Sequence, residues 1–242
     1  GILVSELMKR GKGKRILVLA VKSMLTQFQK EFWNRFSIPL TRLDSQGIQK
    51  VRNKIPANMN PFFYYDKSII SIDTLKQEAL YRSYIEEAYW DIIIIDEAHN
   101  VADRNSGSQK SKLAKLISSR CDTLVMLSAT PHDGSAKSFA SLLNMLDPTA
   151  IANPNDYSAD DFKDKGLVIR RFKKDIADQV KDEFKTRQIF TIKSNASIYE
   201  EEVFHFISNI NFKTIDSNKR KGSELFKTTL IKSLLSSPIA CI

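Results

Sequence analysis

Apolar positions fall into two rhythms that alternate along the chain. Arg15–Ala20 (RILVLA), Trp90–Ile95 (WDIIII) and Asp122–Leu127 (DTLVML) are short, mostly apolar runs, and Lys67–Ile72 (KSIISI) is a more polar strand-like stretch between them. RILVLA lacks the in–out alternation of a half-exposed strand and predicts a strand buried on both faces of a parallel sheet; WDIIII and DTLVML predict buried strands, and KSIISI a further strand. Between them the apolar residues recur every three or four positions, which predicts helices over 2–10, 23–36, about 74–89, 109–119 and 136–146. In the second of these, Leu25, Phe28, Phe32, Trp33 and Phe36 form an aromatic stripe expected to face the core, with Ser23 a candidate cap. Gly11 and Gly13 close the first helix, and the polar stretch 45–66, broken by Pro56 and Pro61, predicts a loop with one short helix. Strands alternating with helices predict an α/β fold in which helices flank a parallel sheet in three layers.

The pattern changes after Asp147-Pro148. Residues 152–164 are rich in Asn, Asp and Ser without a clear period, as a connection would be. Extended stretches follow at 167–176 and 186–192, then helix-like runs near 197–211 and 222–236. The expected organisation is a core over 1–150 and a mostly helical extension over 151–242.

Composition narrows the class. With 242 residues, 42% hydrophobic and 27% charged, and a mean hydropathy of −0.28, the chain is an ordinary globular sequence. The longest apolar run, Ile16–Val21, is far shorter than the roughly 20 residues of a membrane helix. Cys121 and Cys241 form no metal-type spacing and suggest a reducing, cytoplasmic setting. His99, His132 and His205 are scattered, and the last two read as surface or loop residues. The chain starts at Gly1 without a signal-peptide pattern and reads as a piece of a longer protein.

Charge adds a location. The net charge is +9, and residues 1–60 hold 12 Lys and Arg against 3 acids, while 61–242 hold 25 of each. The whole excess lies in the first quarter. It suggests a polyanion partner such as a nucleic-acid backbone, although solvated helix faces and loops would look the same in sequence.

The chemistry is concentrated at Asp91–His99 (DIIIIDEAH). A buried strand there ends in the adjacent carboxylates Asp96 and Glu97, at the edge where open parallel sheets bind ligands. Two neighbouring acids suit phosphoryl transfer from a nucleotide: one holds Mg²⁺ through its water shell, the other positions and deprotonates the attacking water. Thirty-two positions later Ser128-Ala129-Thr130 follows another apolar run, so several strand ends would share one edge.

These stretches resemble the first, RecA-like motor domain of superfamily 2 nucleic-acid-dependent ATPases, in the Swi/Snf-type branch. DEAH at 96–99 is similar to motif II of that family, SATP at 128–131 to motif III, 15–36 to the Ia region and SIISIDTL at 68–75 to Ib. LVIRRFKKDI at 167–176 resembles an element particular to the branch, and SLLSSPIACI at 233–242 its helical end. Val21 departs from the pattern, which has Pro there. The resemblance implies that Asp96 contacts Mg²⁺, Glu97 activates water, and His99 couples the nucleotide site to neighbouring motifs. Ser128 and Thr130 would bond toward the DEAH turn. Ser23, Gln27, Ser71 and Thr74 would touch the nucleic-acid backbone, with helix-cap or strand-end roles equally open. Arg170 and Arg171 would reach the nucleotide or a second lobe, or simply be solvated.

The same resemblance implies ATP and Mg²⁺ as cofactors, double-stranded DNA as partner, and an ATP-driven translocase as the whole protein. An unwinding superfamily 2 helicase and a catalytically dead nucleic-acid-binding module are the alternatives. No GxxxxGK[ST] phosphate loop occurs in the sequence, since Gly11-Lys12-Gly13-Lys14 precedes a strand instead of following one. The pattern places that loop just before Gly1 and a second motor lobe beyond the chain. These 242 residues are therefore expected not to hydrolyse ATP alone, and to leave sheet edges that self-association could cover.

Overall fold

The computed structural model describes residues 1–75, 79–103, 108–130, 135–170, 188–193, 195–210 and 220–237. Its contacts divide the chain into two compact units, Gly1–Arg171 and Phe172–Ile242.

The first unit is built on five parallel strands: β1 Ile16–Ala20, β2 Thr41–Arg42, β3 Lys67–Ser71, β4 Trp90–Ile95 and β5 Cys121–Met126, in the order β2-β3-β1-β4-β5. All five residues of the central strand β1 are buried, as its unbroken apolar run requires. Alternate residues serve opposite faces. Ile16, Val18 and Ala20 pack with α1 (Ile2–Lys9) and α2 (Leu25–Phe36) through Val4, Leu25 and Phe32. Leu17 and Leu19 face the second cluster, which takes residues from α3 (Ser45–Arg52), α4 (Ile72–Leu75), α5 (Ala79–Glu87), α6 (Gln109–Ser118) and α7 (Ala136–Leu146). Helix, sheet, helix: the three layers form as the two rhythms predict.

Four local outcomes depart from the sequence expectation. The short strand β2 went unforeseen, because two residues carry no period. Phe28, Phe32 and Phe36 line the buried side of α2 with ring centroids 6.1 and 6.2 Å apart, but Trp33, about 100° round the helix, is 58% exposed. Ser23 lies in a 3-10 turn, Lys22–Met24, and caps neither that turn nor α2. The last apolar run, now β5, is only half-buried because it ends the sheet.

Residues after α7 stay with the first unit. Ala150 and Ile151 pack on Ala140 and Leu143, joined by Tyr157, Phe162 and Leu167. Within the second unit, α9 (Ile198–Asn209) opens on a capping box between Ser197 and Glu200, and α10 (Arg220–Ser236) packs against it. The remaining helix, α8, is the single turn Asp160–Lys163. Among the described residues, no helix is long and apolar enough to cross a membrane.

Candidate active site

β4 carries its chain to the C-terminal rim and stops there for a backbone reason. Asp96 N donates to Leu19 O at 2.8 Å, which fixes the first acid beside the end of β1. Glu97 then adopts a left-handed conformation, φ 48° and ψ 50°, which costs a non-glycine residue about 1–3 kcal/mol. The turn leads into a single 3-10 turn, Ala98–Asn100, closed by Asn100 N donating to Glu97 O at 2.9 Å. Two backbone bonds staple it to the end of β5: Leu127 N to Ile95 O at 2.9 Å and Ala98 N to Leu127 O at 2.8 Å.

That staple brings Ser128 to the turn. His99 Nδ1 lies 3.1 Å from Glu97 Oε2 and 3.2 Å from Ser128 Oγ. One ring nitrogen thus faces a carboxylate, which can only accept, and a hydroxyl, which can do either. A proton on Nδ1 serves Glu97; without it Nδ1 accepts from Ser128. His99 therefore sits where the acid and the hydroxyl compete.

The two acids differ in environment. Burial raises the Asp96 pKa above the ordinary carboxylate value, the negative charge of Glu97 adds to the rise, and the Glu97 backbone N–H and His99 oppose it. A partly desolvated carboxylate is one that a hydrated divalent cation would satisfy. The donor chemistry fits Mg²⁺ held through water: Asp96 would supply a hard carboxylate oxygen, while Glu97 Oε2 faces His99.

The other sequence-derived candidates are placed as follows. Thr130 is exposed, two residues past Ser128. Ser23 and Gln27 are exposed on the same rim, following the end of β1. Ser71 ends β3 but is 1% exposed, and its Oγ accepts from Asp73 N at 3.2 Å; Thr74 is half-buried in α4. Arg170 is exposed, whereas Arg171 and His132 lie outside the described residues. His205 is exposed on α9, with its ring edge-on to Phe204.

Two rim contacts were invisible in sequence. Lys110 Nζ meets Asp73 Oδ1 at 2.8 Å, tying α6 to α4. Ser141 Oγ accepts from Asp103 N at 2.8 Å, tying the segment after the DEAH turn to α7. Both join residues nearly forty positions apart, a distance at which no local pattern exists.

Comparison with known proteins gives this geometry a family. The RNA polymerase-associated protein RapA of Sodalis glossinidius is 25% identical over 160 residues, 66% of this chain and 16% of that protein. An uncharacterized ATP-dependent helicase of Bacillus subtilis, YqhH, is 25% identical over 248 residues, 98% of this chain and 40% of that protein. The chain thus spans well under half the length of these relatives. In structure it is similar to the Sulfolobus solfataricus SWI2/SNF2 ATPase core in complex with dsDNA, with a TM-score of 0.55 at 18% identity over 96% of this chain and 50% of that one. That likeness establishes the fold, a RecA-like sheet of the SNF2 ATPase core type. The model of the SNF2-related domain matches residues 2–241, and the chain belongs to that family.

Proposed function

We propose that this chain is the first motor lobe of an ATP-driven translocase that moves along double-stranded DNA without separating its strands. The observation carrying the proposal is the DEAH turn held against Ser128 through one imidazole nitrogen, on the rim that also presents Ser23 and Gln27. The division of labour is residues 1–150 for the lobe and 151–242 for the connection toward a second lobe, where Arg170 and Arg171 would act. The setting is cytoplasmic.

Asp96 would hold Mg²⁺ through its water shell, and the ion supplies charge neutralisation on the phosphates of ATP. Glu97 takes the proton of the attacking water. Only its Oε2 is paired with His99 Nδ1, so its other oxygen can accept that proton, and Ser128 is positioned to take the place of Oε2 as the partner of that nitrogen, which would free the whole carboxylate. Movement of the SAT segment, which continues to the exposed Thr130, would thereby release the base. This is a physical route from nucleic-acid contact to hydrolysis. Ser23, Gln27 and Thr74 offer sequence-blind donors to phosphates; Ser71 keeps its O–H while accepting from Asp73 N, and at 1% exposure would first have to be uncovered.

The 242 residues alone lack a phosphate-loop motif and would bind nucleotide weakly without turnover. Their half-buried edge strand β5 would then be covered by a second copy.

The test uses the full-length protein in two assays, displacement of a triplex-forming strand and separation of a forked duplex. ATP-dependent triplex displacement without strand separation is the expected result. Strand separation would indicate an unwinding helicase instead, and duplex binding without any ATP hydrolysis would indicate a catalytically dead module.

A further inference from the structure

The basic excess of residues 1–60 has a definite address. Three arginines there are matched by acids: Arg10 with Glu6 at 2.9 Å, Arg35 with Glu31 at 2.9 Å, and Arg42 with Asp44 at 2.8 Å. Those are all the acids of that stretch, so the excess falls mainly to lysines. Lys14 and Arg15 lead into β1, and Lys67 opens β3 opposite Ile16. α3 follows β2 and precedes β3, so it runs back toward the start of the sheet, and Lys50 and Lys54 lie exposed at and just past its end. This is the N-terminal rim, one strand length, roughly 17–20 Å, from Asp96 and Glu97.

Aromatic rings fill the intervals between these cations. The Arg15 guanidinium carbon lies 4.7 Å above the Phe63 ring. Tyr64 and Tyr65 meet edge to face at 4.8 Å. Tyr65, with Lys50, Asn53 and Lys54, lines a groove of about 550 Å³ beside β2. Phe63 and Tyr64 are 43% and 44% exposed, so part of each ring, away from Arg15 and Tyr65, is accessible to a ligand.

Cations alone would suit any polyanion, and an acidic polypeptide among them. Rings exposed in the same row suit a ligand that carries flat, unpaired bases as well as phosphates. A duplex hides its base faces and would leave the rings nothing to stack on. Arg15 is held in place beneath this row, its Nη2 donating to Phe62 O at 3.0 Å.

We propose that this track, from Lys50 and Lys54 through Tyr65, Tyr64 and Phe63 to Lys14, holds a single-stranded nucleic acid on the rim opposite the DEAH turn. It requires no nucleotide and is separate from the surface of Ser23 and Gln27.

The experiment is fluorescence anisotropy of labelled twelve-nucleotide oligo-dT and oligo-U and of a blunt twelve-base-pair duplex, without ATP, between 50 and 200 mM KCl. Both single strands are expected to bind, more weakly as salt rises. Lys14→Glu with Lys54→Glu should lower that affinity about tenfold or more, and Phe63→Ala with Tyr64→Ala at least fivefold, with duplex binding changed less than twofold. Lys14→Gln with Lys54→Gln, which leaves every packed residue in place, should weaken binding in the same direction and guards against a folding effect. A preference for oligo-U over oligo-dT would assign the site to RNA, and the reverse to DNA. Single-strand affinity unmoved by the rim variants would overturn the proposal, as would equal losses for strand and duplex, or a polyglutamate peptide that displaces the oligonucleotide and binds as tightly.

Discussion

Asp96 shows how one residue's surroundings set its behaviour. Its pKa is raised in the folded chain, mainly by burial. For a carboxyl group this means the folded state favours the protonated form. The favourable contribution is complete below the ordinary value and is lost as pH climbs through the raised one. At neutral pH Asp96 is therefore a cost to stability. Asp96→Asn is expected to melt at a higher temperature than the parent at pH 7, with the difference shrinking as pH falls toward 4; calorimetry across that range checks it. Gly13 is the opposite kind of residue, required by shape. Its φ is 135°, and an added Cβ would sit 2.9 Å from Met8 Cγ and 3.1 Å from Ile92 Cδ1. Gly13→Ala should destabilise the chain by about 1–3 kcal/mol in urea unfolding, because both strain and contact oppose it.

At the scale of elements, strands were the easiest feature to read, since β1, β3 and β4 are buried on both faces and their sequences, unbroken in β1 and interrupted by Asp91 in β4 and by serines in β3, lack strict in–out alternation. Ile93, at the centre of β4, is fully buried, and Ile93→Ala should cost about 2–5 kcal/mol. α7 is found over 136–146, as its spacing predicts, and α9 within the predicted run. What sequence could not supply was neighbour order. The run that became β5 reads as buried because its residues are mostly apolar, yet Leu124 and Met126 pack on one side and Val125 on the other while each stays only partly buried, since the sheet ends there. Trp33 was misplaced for a related reason: one apolar residue beside a stripe does not declare which way it faces. In the site, the acids at a strand end were legible as adjacent letters. The His99–Ser128 contact spans 29 positions and came only from the family resemblance, and the Asp73–Lys110 pair came from neither.

For the whole molecule, two rims of one sheet carry different chemistry. The C-terminal rim gathers Asp96, Glu97, His99 and Ser128, while the N-terminal rim gathers lysines and open rings. The open edge of β5 predicts that these 242 residues self-associate; light scattering should show mass rising with concentration, and Thr123→Lys, at a β5 residue outside both packed clusters, should suppress it by adding charge at the edge strand. A clean monomer at high concentration would count against an unsatisfied edge. The account as a whole depends on Glu97 acting as the base that activates water. The most direct measurement is single-turnover ATP hydrolysis by the full-length protein on duplex DNA, comparing the parent with Glu97→Gln and recording nucleotide affinity in the same samples. The account predicts hydrolysis slowed by about 10²–10⁴-fold with nucleotide and DNA affinity within a few-fold of the parent. Hydrolysis by Glu97→Gln at the parent's rate would contradict it.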